Sequence, residues 1–255
     1  WTDGREMTAY KGTFLQYDGQ GRRISKITPG TSSITFIYDS QNRLIKQSDG
    51  LEFLYDMQGI SAVKKGGSIF PYRKDAQGNI VAILDNQGKT VVKYVYDAWG
   101  NHAVLCLNKV DGVEAFTDQD GTFDAGYTSY QELGKANPFR YRSYYYDTET
   151  ELYYLKSRYY DPEVGRFITI DDISYLNPES INGLNLYAYC GNNPVMRVDP
   201  NGMAWWGSFL PYLFLIPVNR SMYSLMLIWS CIRSSSNCFF MYSWITRSFR
   251  PTVVT

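Results

Sequence analysis

The side chains able to do chemistry are unevenly supplied in this 255-residue chain. His102 is the only histidine, so neither a histidine-bearing metal cluster nor a Ser-His-Asp triad can be assembled. It follows a turn asparagine and reads as an exposed turn residue. The four cysteines, Cys106, Cys190, Cys231 and Cys238, stand at no metal-ligand spacing, and a disulfide framework is not expected in a chain this long. No phosphate-cradling loop is present, because the glycines sit in hairpin-turn contexts. Carboxylates gather at Asp111, Asp118, Asp120 and Asp124. Calcium suits such residues, yet EF-hand spacing is absent and no closing Glu is placed. The reading at this level is no metal and no cofactor.

The elements that would position any site show first in the charge distribution. All 25 acidic residues precede Met203, and the 52 residues from Ala204 onward carry only Arg220, Arg233, Arg247 and Arg250 as charges. The body, with 21 basic residues, is therefore net −4 and the tail net +4. Those tail arginines are scattered among apolar residues, which is no nucleic-acid footprint. The chain begins at Trp1 without a targeting stretch and reads as the C-terminal piece of a longer protein.

Self-similarity organises the first 110 residues. Tyr-Asp recurs at Tyr17, Tyr38, Tyr55 and Tyr96, with a degenerate Lys74-Asp75 copy after Tyr72, and again at Tyr146 and Tyr160. Tyr17-Asp18-Gly19-Gln20-Gly21-Arg22 compares with Tyr38-Asp39-Ser40-Gln41-Asn42-Arg43, and Tyr96-Asp97-Ala98-Trp99-Gly100-Asn101 follows suit. Each unit predicts a strand ending at Tyr, a tight turn whose Asp caps backbone donors, and a second alternating strand. The Gly or Asn three places after Asp suits a left-handed turn position. One hairpin alone is marginal, so successive hairpins should stack into a continuous sheet, and 23 tyrosines favour strands. The Tyr-Asp pairs read as turn chemistry and aromatic packing rather than as a ligand site. Residues 111–139 break the register and read as an irregular acidic loop or linker.

From Arg140 the motifs change character. Arg158-Tyr159-Tyr160-Asp161-Pro162, Gly165-Arg166-Phe167, Gly183-Leu184-Asn185-Leu186-Tyr187, Asn192-Asn193-Pro194 and Asp199-Pro200-Asn201-Gly202 occur in order. With the repeats before them, they resemble the Rhs or YD-repeat family and its repeat-associated core domain, over roughly residues 10 to 203. The resemblance implies an all-β fold: stacked antiparallel hairpins of a spiral shell, closed by a core or plug domain at 140–203. It also implies that the shell encloses a C-terminal polypeptide, and that in several members the core cuts the chain just after its last motif.

The family's first acidic motif matches Asp171 and its second Asp199, with the break between Met203 and Ala204. Two carboxylates held close cannot both ionise, so one serves as acid and the other as base toward water, and the titration belongs to the pair. Arg166 is the cation assigned beside them. Asp172 stands where the family often has proline, Met203 where leucine is usual, and residues 175–180 lengthen the link between the motifs. The bland alternative is that both aspartates only cap turns.

The tail, 204–255, carries two apolar runs, 203–218 and 222–232, each shorter than a membrane-spanning helix requires, and Pro211 and Pro217 interrupt the first. A membrane-active effector, an unfolded cargo held inside the shell and a degraded toxin remnant all stay open. The expected partners are this enclosed tail, a membrane for it and an immunity protein, with no nucleic acid. The resemblance places the protein outside the cell or on its surface. The competing class is a surface protein whose repeats bind glycans and which cuts nothing.

Overall fold

The computed structural model describes residues 6–31, 33–175, 184–203 and 206–207. Twelve strands run as an unbroken antiparallel meander, each paired with its neighbours in sequence. They are β1 (Ala9–Tyr10), β2 (Thr13–Tyr17), β3 (Arg23–Ile27), β4 (Ile34–Tyr38), β5 (Leu44–Gln47) and β6 (Glu52–Asp56). Then come β7 (Gly59–Lys65), β8 (Ser68–Lys74), β9 (Ile80–Leu84), β10 (Thr90–Tyr96), β11 (His102–Val110) and β12 (Val113–Asp118). Side chains alternate across the sheet: in β2, Thr13 and Leu15 are buried while Phe14 and Gln16 are exposed.

The repeat turns show why Asp recurs. Asp39 Oδ1 accepts the amides of Gln41 and Arg43, both at 2.9 Å, while its Oδ2 takes Arg43 Nε at 2.7 Å. Asp18, Asp75 and Asp97 repeat the pattern, with Asn79 or Asn101 replacing the arginine in the last two. Asn42 supplies the left-handed residue at φ 58°, and glycine fills that place in the other turns. A further turn, Asp85 to Lys89, uses the same two amide bonds without a preceding tyrosine. The tyrosines bolt strands together. Tyr38 donates to Arg23 O at 2.8 Å, Tyr55 to Leu44 O at 2.9 Å and Tyr96 to Ile80 O at 2.7 Å.

Residues 111–139 are not an irregular loop. They carry β12 and helix α1 (Thr128–Ala136), which packs on the sheet. The dense Asp and Gly hid a hairpin turn at Asp111-Gly112, where both residues have positive φ. Gly134 lies in the helix rather than in a turn. A Cβ there would come within 2.6 Å of Cys106 Sγ, so its bareness sets how closely helix and strand approach. Asp118 and Asp124 cap local amides, and Asp120 pairs with Lys135 at 3.0 Å.

A second sheet joins β13 (Tyr145–Asp147), β14 (Leu152–Tyr154), β15 (Tyr159–Asp161) and β16 (Arg166–Phe167). It packs against the buried face of the larger sheet, with Phe139 edge-on to Phe53 at 4.8 Å and Tyr145 edge-on to Phe36 at 5.8 Å. Asp147, wholly buried, ion-pairs with Arg23 and lies 3.0 Å from Lys26. Arg23 in turn stacks on Tyr145 and Tyr154.

His102 is not an exposed turn residue either. It opens β11, half-buried beneath Tyr146 and Tyr153. Tyr153 donates to Gly100 O at 2.9 Å, so its oxygen accepts from His102 Nδ1 at 3.1 Å. The other ring nitrogen then accepts from Arg140. Burial, with the Arg140 charge beside it, pushes the imidazole down to about 4.

Candidate functional site

Between the two sheets lies a cavity of about 820 Å³. Tyr17, Arg23, Tyr38 and Tyr55 from the repeats face Tyr144, Tyr154 and Tyr159 across it, and Pro200, Asn201 and Met203 reach its wall. The Asp199 turn therefore stands at the edge of this half-open cleft between the sheets.

Arg158 organises that turn. It leaves the β14–β15 connection nearly fully buried, with its guanidinium 3.6 Å over the Phe167 ring. Its Nη2 lies 2.8 Å from Asp171 Oδ2 and 3.6 Å from Asp199 Oδ2. The two carboxylates thus share one nitrogen and cannot be further apart than those contacts together allow. Arg158 Nη1 also donates to Leu186 O at 2.9 Å, and Nε donates to Gly202 O. One side chain holds both acidic motifs and the backbone just before Met203.

Asp171 is fixed from its own side by a backbone bond to Leu186 O at 3.2 Å, and its Oδ1 accepts the Asp172 amide at 2.8 Å. Asp199 is 1% exposed, and its Oδ1 accepts the Met203 amide at 3.1 Å. Burial is the largest cause of its raised affinity for a proton, pushing the carboxyl up to about 6. Arg158 and the amides of Met203 and Gly202 pull it down, while the Asp171 charge adds to the rise. Tyr144 donates to the Asp199 carbonyl at 2.7 Å. Gly202 sits at φ +73°, and a Cβ there would come within 2.8 Å of Ser157 Oγ and 3.2 Å of Leu155. Ser157 Oγ already donates to Asn201 O at 2.7 Å.

Asp171 and Asp199 are therefore brought together, and both also cap local amides. Arg166 is not with them. It lies exposed on β16 in register with Asp161, and the cation at the pair is Arg158. A partial signal for Arg158 is in the sequence: it directly precedes the strand-forming pair Tyr159-Tyr160, and an arginine drawn into a core needs a carboxylate. The candidate bond follows Met203, and Ala204 lies outside the described residues, as do the tail readings.

The family model of the teneurin YD-shell matches residues 5–116. The tRNA nuclease WapA of Bacillus subtilis is 34% identical over 206 residues, covering 75% of this chain and 7% of that protein. The chain belongs to the Rhs/YD-repeat family. Another relative, the double-stranded DNA deaminase toxin A of Burkholderia cenocepacia, is 35% identical over 159 residues, 62% of this chain and 9% of its own length. The Rhs chain thus spans less than a tenth of these relatives. A TcdB2-TccC3-TEV crystal structure aligns with a TM-score of 0.48 at 20% identity, over 75% of this chain and 9% of that one.

Proposed function

We propose that this chain is the closing and self-processing part of an Rhs-type toxin, delivered outside the cell that makes it. The hairpin sheet and core would house a C-terminal effector, and the Asp171–Asp199 pair would cut the chain after Met203. The observation that carries this reading is the single Arg158 guanidinium between the carboxylates, with Asp199 bonded to the Met203 amide. Relatives named as nuclease and deaminase toxins support a toxin role.

In this mechanism Asp199 carries the shared proton and Asp171 is the base. Water loses a proton to Asp171 and adds to the Met203 carbonyl carbon, while Asp199 donates its proton toward the carbonyl oxygen. The carbon–nitrogen bond to Ala204 then breaks as the amine takes the proton held by Asp171, and the former carbonyl oxygen returns its proton to Asp199, leaving a Met203 carboxyl and the pair reset. The glycan-binding reading is less favoured, because the repeat tyrosines spend their hydroxyls on backbone carbonyls.

The test is the intact mass of the purified 255-residue chain beside Asp199→Asn. A fragment beginning at Ala204 in the wild type alone supports the reading. One uncut chain in both, with near-ultraviolet circular dichroism showing packed aromatics, overturns it.

A further inference from the structure

A backbone kink ties the repeat turns to the acidic pair. Arg142 and Ser143, consecutive and neither of them glycine, have φ of 53° and 59°. Such conformations persist only where the surroundings over-determine them. Here the fourth repeat turn does so: the Arg142 amide donates to Asn79 Oδ1 at 2.9 Å, and Ser143 Oγ donates to Gly78 O at 2.9 Å.

The Arg142 side chain carries the connection onward. Its Nη1 donates to Gln77 O at 3.0 Å, while Nη2 donates to Pro194 O and lies 3.4 Å from Arg197 O. Gln77 Nε2 adds a bond to Val195 O at 3.0 Å. Two residues past the kink's Arg142, Tyr144 holds the Asp199 carbonyl. The segment from Pro194 to Asp199 is thus gripped at both ends from one kink, and that kink rests on a repeat turn.

We infer that Arg142 is a positioning residue for Asp199, and that through it the Gln77–Asn79 turn must be folded before the acidic pair is set. The inference rests on the self-cleavage reading for its consequence: processing waits on the shell. Folding of the repeats, far from the acidic pair in sequence, thereby licenses the cut.

The experiment uses the full chain with Arg142→Lys, which keeps the charge but loses the fork, and Gln77→Ala, which removes only a half-buried amide. Hydrogen exchange of the Met203 amide reports whether it still donates to Asp199, cut or uncut. Both variants should exchange it faster, and Arg142→Lys more so. In pulse-labelled cell-free synthesis, cleavage should slow on the order of 10- to 100-fold in Arg142→Lys. The midpoint of its pH–rate profile should also move, which a loss of global stability alone would not produce. Wild-type protection and an unchanged profile in both variants overturn the inference. An uncut wild type defeats the cleavage reading instead, and the exchange measurement still decides the positioning. If Arg142→Lys fails to fold, Asn79→Ala, which removes the oxygen that accepts the Arg142 amide, decides by the same two readouts.

Discussion

The Asp199 carboxylate accepts the amide of Met203, four residues on in the same turn, at 3.1 Å. The candidate acid and the residue preceding the candidate break are thereby locked in one small ring of chain. Whatever loosens that ring should loosen both.

The first prediction concerns pH. Asp199 is raised in the folded chain from 3.8 to about 6, so its stabilising contribution is fully present below pH 3.8 and is lost as pH rises through 6. By linkage this amounts to about 3 kcal/mol. Cleavage that needs the protonated carboxyl should slow above pH 6 in pulse-chase measurements. Asp199→Asn should be uncut and should lose the decline in stability between pH 3.8 and 6 in urea titrations.

His102 has the opposite sign. Its folded value of about 4 lies below the ordinary 6.5, so the unfolded chain binds the extra proton between them. Stability should fall as pH drops from 6.5 to 4, by a few kcal/mol at most. His102→Asn should abolish that slope in denaturant titrations. Because Asp199 and His102 slope against each other, the wild type should look nearly flat over this window, and the two variants should separate them. A wild-type slope unaltered by His102→Asn would contradict the assigned ring environment.

Asp147→Asn should be severely destabilising. It leaves Arg23 and Lys26 buried without the charge that balances them, a change worth about 3–5 kcal/mol. The drop in the urea midpoint should exceed that of Lys46→Ala, whose Glu52 partner is an exposed surface contact.

Gly202→Ala separates crowding from backbone strain. Gly50 has a similar positive φ, +93°, but open space where a Cβ would go, whereas Gly202 faces Ser157 and Leu155. Both substitutions should cost about 1 kcal/mol or more for the conformation. Only Gly202→Ala should also displace the Asp199 turn. Its thermal midpoint should fall further than that of Gly50→Ala, and cleavage should be lost.

What could be read in advance was local. Asp39 to Arg43 is a turn because of bonds made within five residues, so its sequence is enough to recognise it. The all-β meander follows from repeating that unit. The Asp85 turn lacks the tyrosine that marks the other units, so its sequence does not stand out as a repeat. Helix α1 and β12 lay beneath Asp-rich and Gly-rich sequence whose turn chemistry masked their periodicity. At the site, Asp171 and Asp199 were visible through motif resemblance, but their cation was not. Arg166 is nearer along the chain to Asp171 than Arg158 is, yet Arg166 is left exposed on β16 while Arg158, in the β14–β15 connection, is buried. Such choices depend on which face meets the other sheet, a contact between residues more than a hundred positions apart.

Four of the repeat tyrosines donate one way in time. Tyr17, Tyr38, Tyr55 and Tyr96 each donate to a carbonyl already behind them in the chain, at Met7, Arg23, Leu44 and Ile80. Tyr72 donates forward, to Asn137 Oδ1 after the helix, and the Tyr17 hydroxyl also meets that of Tyr159 at 2.8 Å. As the chain leaves the ribosome, each of the four backward-facing hairpins can latch onto the one made before it, as a ratchet advances tooth by tooth. Tyr72 donates to nothing behind it and stays open until the core-facing segment has been made, so its hydroxyl marks the moment when winding gives way to sealing.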